Sequence, residues 1–242
     1  MSTLKATTIE PATGTNVTLG TTGDTVALPG NTLALDTWKD SGGNTLFTSN
    51  GSGVVSSVNS ALTGSGPVLI STQTASSSSS ISFTSGLDAT YDKYMFVFVN
   101  IHAASNGERL QFQVSTDGGS SYGVTITSTY FDAYHKEDDS AAALVYQPAN
   151  DLAQSTSYQD LNRGMGTNND DSHSGVLHLF APSNTTYVKQ FYGTCNHAEH
   201  GTTSMNGFVA GYVNSTSAVD AINFKCSSGN VDAGTIAMYG IK

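Results

Sequence analysis

Cysteine, histidine and glutamate crowd into one hexapeptide, CNHAEH, which holds Cys195, His197, Glu199 and His200. Thiolate, imidazole and carboxylate are the groups that bind zinc. A turn through this segment would let His197 and His200 share an ion. A strand would instead place Cys195, His197 and Glu199 on one face and His200 on the other. No second ligand group declares itself in the chain, so the expectation is a solvated polar strand end or loop, with no metal. NNDDSH, from Asn168 to His173, offers oxygen ligands for calcium. It lacks the spacing and glycine of a calcium loop and reads as a polar loop.

Carboxylates for sugar hydrolysis must come in pairs. Asp132, Glu137, Asp138 and Asp139 are available, but no spacing singles out a pair. The run HKEDD at 135–139 reads as a solvated hairpin tip. Serine is abundant, yet no Gly-x-Ser-x-Gly lies between a strand and a helix. No glycine loop suited to phosphate is present either. The expectation is therefore no catalytic residue, no cofactor and no metal. Tyr122, Tyr130, Tyr134, Tyr146 and Tyr158 cluster around turns and a long loop. A tyrosine ring gives contact area and its hydroxyl a hydrogen bond. Tyr122, Tyr130, Tyr134 and Tyr158 are the candidates for a surface that meets a sugar or a protein.

These residues need elements to hold them. The 242 residues suit one large β domain, or one domain with an appendage. Only 12% are charged, and Gly, Ser, Thr and Asn take the place of charge. No long stretch has helical apolar spacing. The formal charge of −10, with no basic stripe, argues against a nucleic-acid partner. No apolar run approaches the roughly 20 residues of a spanning helix, so membrane insertion is not expected. The opening MSTLKATTIEPATG lacks a signal-peptide core. Cys195 and Cys226 read as two free thiols in small core positions, although the sequence leaves their pairing open.

Three zones follow one another. Residues 1–40 hold small aliphatic pairs, Val17/Leu19, Val26/Leu28 and Leu33/Leu35, each fenced by Gly, Pro, Asn or Asp. Residues 41–66 are rich in Gly and Ser and read as a linker. From Pro67 onward, strand patterns recur at 67–74, 80–84, 93–102, 108–115, 122–134, 141–147, 174–181, 186–194, 205–214, 218–226 and 233–241. Turn signals separate them, and about eight to ten strands fit a jelly-roll β-sandwich head over 67–242. KYMFVFVNI is nearly continuously apolar and reads as a central strand covered on both faces. Residues 148–173 carry no strand signal and read as a short helix or a crossing loop. The closing strand should be locked into a sheet, leaving Lys242 outside.

One copy of the N-terminal zone cannot hold its own shape. Six aliphatic side chains contribute roughly 1.5–3 kcal/mol each when fully buried. Ordering some twenty residues costs about 1–2 kcal/mol each in backbone entropy. The pairs must therefore bury against other copies, as they would around a threefold axis. Failing that, the stretch lies as an arm on another protein.

The stretch MSTLKATTIEPATGTNVTLGTTGDTVALPGNTL resembles the opening of virion structural and fibre proteins of marine tailed bacteriophages. FQVSTDGGSSY (Phe112 to Tyr122) and GTIAMYGIK (Gly234 to Lys242) are similar to parts of the jelly-roll heads that follow in that family. The resemblance implies a virion location, self-association as a homotrimer, docking on other virion proteins through the N-terminus, and adhesion without catalysis. The chain is short for a main tail fibre. Three readings follow: a short trimeric fibre whose head meets host glycan or protein; a decoration protein cementing the capsid; and, less favoured, a spike enzyme that degrades polysaccharide.

Overall fold

The computed structural model describes residues 37–40, 42–49, 52, 55–58, 66–199 and 202–242. Val17, Leu19, Val26, Leu28, Leu33, Leu35 and His200 lie outside the described residues. The chain divides into two units between Gly64 and Ser65.

In the first unit, β1 (Thr37–Lys39), β2 (Thr45–Ser49) and β3 (Val55–Val58) form an antiparallel sheet in that order. The Asp40 carboxylate shapes the first turn by accepting from the backbone N–H groups of Gly42 and Asn44 at 2.9 and 2.8 Å. Trp38 stacks on its cross-strand partner Phe47, with ring centroids 5.4 Å apart. Two of these strands fall within 41–66, which reads as linker in sequence. An aspartate-capped turn and one aromatic pair set this register, and Gly/Ser composition conceals both.

The second unit is all-β, with no helix among the described residues. Its strands are β4 (Val68–Thr74), β5 (Ile81–Phe83), β6 (Lys93–Ala103), β7 (Leu110–Ser115), β8 (Ile126–Lys136) and β9 (Ala142–Tyr146). They continue as β10 (Gln159–Asp160), β11 (His173–Phe180), β12 (Lys189–Glu199), β13 (Thr203–Val213), β14 (Ala221–Cys226) and β15 (Val231–Ile241). One sheet has eight strands, β4-β15-β6-β11-β12-β13-β8-β9; the other has four, β10-β7-β14-β5. Every pairing is antiparallel.

A sandwich forms because inward aromatics of the two sheets interlock. Phe224 of the small sheet lies 5.3 Å from both Phe96 and Phe98 of the large one, centroid to centroid. Phe83 meets Phe96 at 5.6 Å, and Phe112 meets Phe191 at 5.1 Å edge-on. All six rings are buried. Each ring removes a large apolar area from water, and edge-to-face contact adds a smaller gain.

The expectation of double coverage for β6 is corrected. The strand is central by hydrogen bonding, between β15 and β11. Phe96 and Phe98 point inward, whereas Met95 and Val97 are half-exposed and Val99 is 47% exposed. The apolar run marks one buried face and one apolar face that no layer of the described residues covers.

The segment between β9 and β11 holds no helix; it is the crossing loop of the two readings, leaving the large sheet after β9, placing β10 in the small one and returning as β11. It lines the inner side of β8 through polar side chains. Gln159 bonds the Ser128 hydroxyl and donates to the Asn150 carbonyl at 2.8 Å. Gln113 donates to the carbonyls of Val124, Thr156 and Ser157 at 3.0–3.2 Å. Buried amides of this kind order a chain without any apolar period.

Candidate functional site

The hexapeptide CNHAEH, expected to hold no metal, becomes, as far as Glu199, the end of β12. Alternation turns Cys195 and His197 inward, where both are buried. This corrects the expectation of a solvated polar end. His197 sits opposite His173 of β11 in register, with ring centroids 6.2 Å apart. None of the four ring nitrogens has a hydrogen-bond partner among the described residues. Burial, reinforced by the neighbouring His197, pushes the His173 pKa down to about 3. Burial and then Arg163 push that of His197 down to about 4. Burial pushes the Cys195 thiol up to about 12, which leaves it protonated and inert. Glu199 is half-buried beside a cavity of about 170 Å³ that Tyr134, Lys136 and Arg163 also line. The described residues contain no group of three or more ligands able to hold a metal.

The segment from Asn168 to His173 closes on itself. Asp171 accepts from the Asn168 N–H at 3.0 Å, and its own N–H donates to the Asn168 carbonyl at 2.9 Å. The four carboxylate candidates part company. Asp132 faces the interior, fully buried, with Arg163 at 3.6 Å and Gln147 donating at 3.2 Å. Glu137, Asp138 and Asp139 sit on the exposed turn after β8. Asp138 accepts from the Ser140 N–H at 3.0 Å, and Asp139 pairs with His135 at 3.1 Å. No two of the four share a cleft.

The tyrosine candidates are also redistributed. Tyr130 is core: its ring is wholly buried, and its hydroxyl lies over Gly207, where an added Cβ would come within 2.2 Å. A surface role for Tyr130 is therefore corrected; β8 points Ser128, Tyr130 and Asp132 to the same, inner side. The Tyr122 hydroxyl is buried. Tyr158 donates to Asn223 at 3.0 Å and lies under the Lys225 ammonium at 4.1 Å. Tyr134 is half-buried. Tyr146 is 52% exposed, and its hydroxyl bonds the Asp151 carboxylate.

The sequence reading missed the outer face of the large sheet. Register places Val176, Thr194, Phe208, Phe131 and Tyr146 in one outward row across β11, β12, β13, β8 and β9. The next row runs His178, Tyr192, Ala210 and Thr129. Phe131 stacks on Phe208 at 4.9 Å, and Tyr192 packs on His178 at 4.7 Å and on Phe180 at 5.7 Å. Tyr192 remains 46% exposed and Phe131 39%. The outward positions of these five strands hold no Asp, Glu, Lys or Arg. The available signal was Phe191-Tyr192: adjacent aromatics in a strand must face opposite sides, so one is outside.

Comparison with protein-family models, curated proteins and solved structures found no match. Fold and surface together define a class: an antiparallel β-sandwich whose large sheet presents, over five strands, an aromatic face without Asp, Glu, Lys or Arg that no other layer of the described residues covers.

Proposed function

We propose that the chain is a non-enzymatic structural protein of a tailed-phage virion, a short trimeric fibre that docks through its N-terminal zone and presents its β head to the host surface. The uncovered aromatic face of the large sheet carries this reading. Patches of this kind, depleted in charge and rich in aromatic rings, mark interaction sites. The separation of buried Asp132 from the exposed Glu137, Asp138 and Asp139 supports adhesion over hydrolysis. The aliphatic pairs of residues 1–40 support assembly through that zone, and the resemblance of the sequence to phage fibre proteins supports the virion setting.

Imaging the assembled particle with the protein labelled, together with its copy number, tests the reading. A fibre lies on an appendage in low copy. An abundance near that of the main capsid protein would make it a capsid decoration instead. In solution the expected state is a trimer, weakened by Leu33→Asp and lost on deleting residues 1–40. A monomer would favour an arm laid on another virion protein. A trimer that survives the deletion would move self-association into the head.

A further inference from the structure

On the outer face a groove of about 450 Å³ runs between β8, β12 and β13, with Phe180 at one end. Its origin is steric. In the row that crosses the sheet at Tyr192, the neighbours on β13 and β8 are the small Ala210 and Thr129. Tyr192 stands at one side of this low floor, packed against His178 and Phe180. Gln190, Tyr212 and Thr127 form the next row and the opposite wall.

A polar rim is fixed above that wall. Gln154 has a left-handed backbone, φ +50°, which a side-chain-bearing residue rarely adopts. Its amide nitrogen donates to Thr127 Oγ1 at 2.6 Å and reaches the Tyr212 hydroxyl at 3.4 Å. Its amide oxygen accepts from Asn214 Nδ2 at 2.7 Å. Strained backbone held by converging hydrogen bonds is characteristic of preorganised sites. Gln154 and Asn214 are nonetheless exposed and retain further donors and acceptors.

We infer that this groove binds a neutral pyranose, with the sugar's apolar face on Tyr192 and its hydroxyls on Gln154, Asn214 and Gln190. An aromatic platform beside a few convergent neutral amides matches a ligand with one apolar face and a ring of hydroxyls. The residues that line the groove include no Asp, Glu, Lys or Arg, and the Lys93 ammonium lies 6.0 Å from the centroid of the Phe180 ring at its end. With a chain charge of −10, a groove whose lining side chains are all uncharged favours neutral over acidic sugars. The inference rests on the reading of the head as a contact surface and names the ligand class and the residues.

The test uses the full-length protein on an array of neutral and sialylated or uronic-acid oligosaccharides, followed by titration with the strongest neutral binder. Tyr192→Ala and Gln154→Ala should each weaken binding at least tenfold. Tyr192→Phe should restore most of it, and Leu144→Ala, on β9, should leave it unchanged. Melting curves and light scattering confirm that each variant remains folded and unchanged in assembly. Absence of neutral-glycan binding, preference for the acidic sugars, or binding indifferent to both Tyr192→Ala and Gln154→Ala would overturn the inference. So would a loss of assembly with Tyr192→Ala, which would make the groove a contact between copies. Particle imaging is independent of all these results, so a virion fibre with no glycan binding would sink the inference alone.

Discussion

Acidification should unfold this sandwich through two histidines. His173 and His197 are buried and neutral, with no hydrogen-bond partner among the described residues to accept a new proton. Their folded pKa values, about 3 and about 4, lie below the ordinary 6.5. The unfolded chain thus binds more protons between pH 6.5 and the folded values, so stability falls as pH falls through that window. It levels off only below about pH 3. Each unit below the unfolded value costs about 1.36 kcal/mol per histidine, so going from about pH 7.5 to about pH 5.0 costs ~2 kcal/mol each, ~4 kcal/mol together. That figure is insensitive to the depth of the shift, because a folded pKa anywhere below about 4 leaves both rings unprotonated at pH 5. Asp160 acts in the opposite sense: burial raises its pKa, so acid favours its folded, protonated form. Urea unfolding followed by circular dichroism at the two pH values measures the sum. His173→Gln and His197→Gln separate the parts, since each should remove about half of the pH dependence whatever its cost at neutral pH. A wild-type loss under about 1 kcal/mol, or variants that keep the full pH dependence, would refute the argument.

Other outcomes follow from packing and burial. Phe224→Ala removes the ring that meets Phe83, Phe96, Phe98 and Phe112, and should cost about 3–5 kcal/mol in a urea titration. Gly234→Ala should cost on the order of 2–4 kcal/mol, because its φ is +110° and a Cβ would come within 2.6 Å of the Asn100 carbonyl oxygen and Ile101 Cα. Cys195 and Cys226 are both free and buried, with thiol pKa values raised to about 12 and about 11. A thiol reagent at mildly alkaline pH should therefore label neither in the folded protein and both in denaturant; rapid native labelling would contradict their burial.

The all-β class was legible in the sequence because strand alternation and turn chemistry are local properties. Pro182-Ser183-Asn184 and Ser228-Gly229-Asn230 both lie between strands of the sandwich, as their composition predicts. The closing strand ends at Ile241, paired with Lys93, and leaves Lys242 exposed. The hairpin tip at 135–139 is likewise solvated. Period-two patterning specifies that successive side chains face opposite ways. It does not specify which face lies against another layer. That choice belonged to tertiary structure, and every misplaced residue traces to it. Tyr130 went inside and Tyr192 outside because the small sheet covers only one face of the large one, and alternation along β8 and β12 puts the two rings on opposite faces. His197 left its expected solvated position because its partner in the sheet, His173, lies 24 residues away in sequence and turns inward with it. The groove at Ala210 and Thr129 likewise exists only through register, which sets two small residues beside a tyrosine from a third strand. Composition set the supply of strands and turns, and the pairing of distant segments decided what each one faces.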